Sequence, residues 1–170
     1  MRSSRTSPLS FIVEDERWRN DAEVLKLIRR AARAAAKARV TPRKSKDASA
    51  RGAITVLLAD DLRLRSLNKQ FRRKDKTTNV LSFAARDPRY LGDIAIAFGK
   101  TEKEAKSQGK SLADHAAHLV VHGILHLKGF DHARNTDAKA METLETLILS
   151  RLGVPDPYRP RPYTRAFGQA

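Results

Sequence analysis

His122, His126 and His132 stand at i, i+4 and i+10 in the stretch His122-Gly-Ile-Leu-His126-Leu-Lys-Gly129-Phe-Asp131-His132. On a helix the first two lie one turn apart on the same face. Gly129 lets the chain turn sharply, so that the third imidazole can come back toward them. Three neutral imidazoles at one point are a ligand set for one divalent metal ion per chain, zinc above all. Three protein ligands leave a coordination position open, the arrangement of a catalytic rather than a structural zinc. All five histidines of the chain lie between residues 115 and 132, and there is no cysteine, which excludes disulfides and thiolate-bound zinc. That composition fits a reducing, cytoplasmic setting.

The helix that must carry these residues is unusual. At about 100° per residue, His115, His118, His122 and His126 fall within roughly an 80° arc. Leu119, Val120, Val121, Ile124, Leu125 and Leu127 fill the rest of the circumference. A helix apolar almost all round belongs in a protein core. Its imidazole stripe must then face a cleft, a metal or hydrogen-bond partners, because burying unpaired imidazoles is unfavourable. His118, and His115 with it, either supports a ligand from behind or is a packing residue. Asp131 is either a general base or a buttress for a ligand histidine or the turn. The spacing is similar to H-E-x-x-H-x-x-G-x-x-H of the metzincin proteases, whose glutamate is the general base. Gly123 occupies that position here, so a zinc metalloprotease is the alternative reading but lacks its usual base.

Other segments supply the frame. Apolar runs predict strands over Ser10–Glu14, Ile54–Ala59, Val80–Phe83 and Ile94–Phe98, the last two joined closely enough to pair. Asn20 with Glu23 has the form of a capping box before a helix to about Arg39, with Val24, Leu27, Ile28, Ala31 and Ala35 on one face. Asp60 or Asp61 caps a second helix with Leu64, Leu67 and Phe71 at helical spacing. Lys100–Ser107 reads as a short helix or turn. Ser111 with Asp114 begins the histidine helix, and Gly129 ends it. A last helix runs from about Thr136 to Leu152. The expected fold is α+β: a small mixed sheet of about four strands packed against about five helices, with a metalloproteinase-like metal helix. Residues 1–8 are expected to be disordered, 9–153 to form a single catalytic domain, and 154–170 to form a flexible tail. Thr41–Ala50 reads as a polar, basic connector.

Charge narrows the partner. Lys and Arg number 34 against 19 Asp and Glu, a net charge of +15, with a pI near 10.7. That excess favours a polyanion such as nucleic acid. It is weakest where the histidines lie, since residues 101–170 hold 10 basic and 8 acidic side chains. The apolar run Leu9–Val13 is too short for a secretory segment, and no stretch has the length of a membrane span.

The stretch HGILHLKGFDH closely resembles the signature of the YbeY family of bacterial endoribonucleases. So do Leu67-Asn68-Lys-Gln-Phe71-Arg72-Arg-Lys74-Asp75-Lys76-Thr77-Thr78-Asn79-Val80-Leu81-Ser82-Phe83, Leu91-Gly92-Asp93-Ile94, and Met141 with Glu145. Ala84 departs from the proline usual in that family. The resemblance implies that His122, His126 and His132 bind Zn2+. It implies that Arg72 is the functional arginine, holding a phosphate as negative charge builds on it. Arg73, Lys74 and Lys76 then steer the RNA backbone. The implied activity is single-strand-specific cleavage in ribosomal RNA maturation, at the 16S 3′ end, and in ribosome quality control. The implied partners are ribosomal RNA, the small ribosomal subunit, and a ribosome-associated GTPase or ribosomal protein. A non-catalytic ribosome-assembly factor with a structural metal is a further alternative.

Overall fold

Parallel strands need long crossovers, and this sequence places helices between its apolar runs. The computed structural model describes residues 8–40 and 52–160. The connector and most of the N-terminal segment, together with the last ten residues of the expected tail, lie outside the described residues. The strands are β1 (Leu9–Val13), β2 (Ala53–Ala59), β3 (Val80–Ala84) and β4 (Tyr90–Ala97). They form a mixed sheet in the order β1-β2-β4-β3. β1 and β4 flank β2 in parallel, and β3 lies antiparallel to β4. The helices are α1 (Ala22–Lys37), α2 (Asp61–Arg72), α3 (Phe98–Ser107), α4 (Leu112–Leu127) and α5 (Asn135–Ser150). None is long and apolar enough to cross a membrane.

Strand alternation sorts the core into two layers. Ile54, Val56, Leu58, Ile94 and Ile96 pack with α1 and α4. Ala59, Leu81, Ala95 and Ala97 pack with Leu64 of α2 on the other face. Helix α4 lies at the centre, against α1, α3, α5, β3 and β4. Its burial on nearly every side matches its apolar circumference.

Several expectations shift in detail. The cap of α1 is Asp21, not Asn20: its carboxylate accepts from Glu23 N at 2.9 Å. Asn20 instead closes a 3-10 turn, Glu16–Arg19, through its own N–H. That turn buries Trp18 completely, with Nε1 donating to Ala59 O at 3.1 Å. Both adjacent aspartates are used. Asp60 caps α2, accepting from Arg63 N at 2.7 Å. Asp61 accepts from Lys100 N at 2.9 Å, in the first turn of α3. Strand β4 begins at Tyr90, four residues before the apolar run that announces it, because pairing with Ala53 extends it. Phe71, at helical spacing with Leu64 and Leu67, is 60% exposed, although Leu64 is buried. The chain after Gly153 also packs: Val154 and Pro157 are buried, and Lys110 Nζ donates to Pro157 O at 2.7 Å.

Lys128, just past the end of α4, is buried and donates from Nζ to Ala36 O and Ala38 O, both at 2.8 Å. It ties the last turn of α1 to the metal helix. A charged donor to a carbonyl contributes about 1.5–3 kcal/mol, and an orphaned acceptor adds a desolvation cost. Lys128→Met should therefore lower the unfolding free energy by about 2–3 kcal/mol, read as a lower urea midpoint with an unchanged slope.

Candidate metal centre

The end of α4 builds the site. The Ser111 hydroxyl accepts from Asp114 N at 3.0 Å and starts the helix. Gly129, at φ 92°, ends it. Phe130 N donates to Leu125 O at 3.0 Å, and Gly129 N to His126 O at 2.9 Å, the paired bonds of a left-handed helix stop. The same turn aims Phe130 O at His126 Nδ1, which donates to it at 2.9 Å. His126 is thus held by the turn that terminates its own helix.

His122 is held from a different helix. Its Nδ1 donates to Glu145 Oε1 of α5 at 2.6 Å. Glu145 is fully buried, and its Oε2 accepts from His118 Nε2 at 2.9 Å. Tyr158 Oη also donates to that oxygen and lies 3.3 Å from His118 Nε2. Burial alone would raise the Glu145 pKa. The hydrogen bonds from His118 and His122 outweigh it and hold the group at about 2. Burial and the neighbouring carboxylate push the Tyr158 phenol up, so it remains a donor.

With both Nδ1 atoms engaged as donors, the Nε2 lone pairs of His122 and His126 face each other at 3.0 Å. A tetrahedral ion with bonds of about 2.0–2.1 Å to nitrogen spaces its ligands by ~3.3 Å. His132 completes the set: one ligand atom from each of the three residues lies within 4.8 Å of the others. Burial and the adjacent His122 and His132 rings keep the His126 pKa below its usual value, so it offers a lone pair rather than a proton. The donor set therefore fits a divalent metal with nitrogen ligands. His118, His122 and Glu145 form a second such group, but there the carboxylate is already engaged with both imidazoles.

The other residues singled out in the sequence fall into place unevenly. His118 supports His122 through Glu145. His115 is buried, and its Nε2 donates to Glu104 Oε2 at 2.9 Å on α3, away from Glu145. Asp131 accepts from His132 N at 2.7 Å, so it braces the turn. Arg72, the last residue of α2, donates from Nη2 to Ser82 O of β3 at 3.1 Å. Ser82 Oγ donates to Gly123 O of α4 at 3.3 Å. Two hydrogen bonds thus connect the arginine to the backbone beside His122. Arg73 follows in the left-handed conformation, φ 56°. Arg73, Lys74 and Lys76 are exposed on the loop, which buried Asn68 supports by donating to Lys76 O at 2.8 Å. Asp75 pairs with Arg65 at 2.7 Å and Lys69 at 3.2 Å.

Gly123 has a spatial reason as well as a chemical one. A Cβ there would lie 3.0 Å from Ile94 Cγ2 and 3.1 Å from Ser82 Oγ. The position that carries the base in a metzincin faces the sheet here, and even a Cβ would require Ile94 or Ser82 to shift.

A match to the family described as Endoribonuclease YbeY spans residues 12–153. The chain belongs to the YbeY endoribonuclease family. Endoribonuclease YbeY of Rhodopseudomonas palustris is 44% identical, with 86% of this chain and 78% of that protein covered. The YbeY protein of Paracoccus denitrificans is 43% identical, covering 88% and 89% respectively. The solution structure of TM1509 from Thermotoga maritima shares the fold, with a TM-score of 0.54 at 20% identity over 89% of this chain and 99% of that one. Tyr158 lies beyond the family match, although it touches the buried carboxylate.

Glu145 was noted in the sequence only as part of the YbeY resemblance. Nothing in its spacing pointed to His122, because the contact joins two helices. Glu145→Gln keeps the volume but turns an amide donor toward His118. Metal affinity, measured by chelator competition, should fall about 10- to 100-fold. Gly123→Glu would restore the protease sequence but force a carboxylate against Ile94. It should cost at least about 3 kcal/mol of stability in urea unfolding and yield no peptidase activity.

Proposed function

We propose that this chain is a zinc-dependent, single-strand-directed endoribonuclease of ribosomal RNA, acting in the cytoplasm on the small-subunit precursor. The observation that carries the reading is the three-histidine cluster, with a guanidinium linked to its helix through Ser82 and a glycine where a protease has its glutamate, in a member of an endoribonuclease family. His122, His126 and His132 would hold the zinc, one ion per chain. When bound, the metal supplies a Lewis acid for a phosphate oxygen and lowers the pKa of a water. Glu145 keeps His122 in the tautomer that presents Nε2, and Phe130 O does the same for His126.

Arg72 presents a planar donor fork suited to the non-bridging oxygens of a phosphodiester, where negative charge grows during attack. Its bond to Ser82 O restrains the side chain before the substrate arrives. Arg73, Lys74 and Lys76 hold flanking phosphates without reading sequence. The 16S 3′ end as the site of cleavage, and the ribosome-associated GTPase or ribosomal protein as partner, rest on the family resemblance.

Arg72→Glu should fold, bind zinc with unchanged affinity and lose about 100-fold or more in RNA cleavage. Sequencing of ribosomal RNA ends in depleted cells complemented with this variant should show unprocessed termini. Full processing by Arg72→Glu would remove the arginine from the mechanism. Metal-dependent cleavage of casein without cleavage of RNA would favour the metalloprotease. A lower melting temperature for His126→Ala together with full processing by a stably folded Arg72→Glu would favour the non-catalytic assembly factor with a structural metal.

A further inference from the structure

Helix α2 continues its apolar face, Leu64 and Leu67, to Phe71, but the ring emerges from the fold there and is 60% exposed. The ring is nevertheless held. It meets Phe83 at 5.2 Å between centroids with a 57° tilt. The Arg72 guanidinium lies 5.9 Å from the same Phe83 ring and is anchored on Ser82 O. An exposed aromatic ring, braced on one side and open on the other, therefore adjoins the arginine assigned to the scissile phosphate. The loop that follows, Arg73 to Lys76, carries three exposed cations.

We propose that Phe71 is a stacking platform for an unpaired base of the RNA strand whose phosphates lie on Arg72 and the basic loop. This rests on the endoribonuclease reading and adds how that site selects its substrate. The charge around the ring favours a polyanion, and the part of a polyanionic strand that matches an aromatic face is a nucleobase. Stacking tolerates every base, so the platform gives no sequence preference. It does require that the base be free of its helix, which makes Phe71 a source of single-strand selectivity. A protein partner seated on the ring is the competing occupant.

The test uses the zinc-loaded protein and a fluorescent, 2′-O-methylated single-stranded RNA, which cannot be cleaved through its own 2′-hydroxyl and is verified intact by gel after each titration. Anisotropy should show Phe71→Ala and Phe71→Leu weakening binding about 5- to 100-fold, with Phe71→Trp matching the wild type. An abasic version of the strand, which keeps the phosphates, should bind wild type and Phe71→Ala alike. The slope of log affinity against log salt should be unchanged by these variants, because no phosphate contact is lost. Phe71→Leu retains apolar bulk, so equal binding by Phe71→Leu and wild type would overturn stacking even if Phe71→Ala proved unstable. Undiminished RNA binding by Phe71→Ala would also overturn it and leave a protein partner as the occupant. Failure of the wild type to bind or cleave any RNA would sink the endoribonuclease reading itself, and the stacking proposal with it.

Discussion

Helix α4 contributes no side chain of its own at Gly123, where the Ile94 and Ser82 side chains of the sheet pack against its backbone, and the site geometry follows from that contact. The register of β3 and β4 places Ser82 opposite Ile94, and both flank the glycine. The close approach lets the Ser82 hydroxyl reach the helix backbone while its carbonyl receives Arg72. One more carbon at position 123 would press on a buried isoleucine and disturb the route from α2 to the histidines. The absence of a glutamate is thus a packing requirement, and the chemistry of the family is compatible with it.

A second requirement is electrostatic. Glu145 has no exposure to water, and an ionised carboxylate in that position is tolerable only with donors around it. His118, His122 and Tyr158 supply them from α4 and from the chain beyond α5. The carboxylate orients its imidazole only because it is fixed from several sides. The C-terminal segment is part of that enclosure: Asp156 accepts from Tyr158 N at 2.9 Å, and Pro157 is buried beside it.

Features decided by neighbours in the chain were legible in the sequence. These include the metal helix, its serine cap, its glycine stop and the convergence of three histidines, which follow from spacing along one element and its turn. The four strands and five helices were legible from periodicity. Features decided across elements were not. The partner of His122 lies on α5, 23 residues away. Helical spacing puts Phe71 on the face of Leu64, but periodicity does not show where the supporting sheet ends, and the ring is exposed. The shift of the α1 cap from Asn20 to Asp21 came from a 3-10 turn anchored by Trp18, whose indole bonds a strand 41 residues on. The packing of residues 154–160 was hidden for the same reason: their composition suggests a tail, and only the buried groups they meet make them part of the fold.

His122 and His126 owe their orientations to different levels of structure. The acceptor for His126 is four residues away, in the turn that closes its own helix, so that ring is aimed as soon as α4 forms and stops. The acceptor for His122 arrives only when α5 docks. Of these two ligands, one is therefore oriented locally and the other only on tertiary assembly. Because linkage is reciprocal, an ion that requires His122 in its docked orientation also holds α5 against α4. A metal bound there would lock α5 onto α4, and its occupancy would report whether α5 is docked.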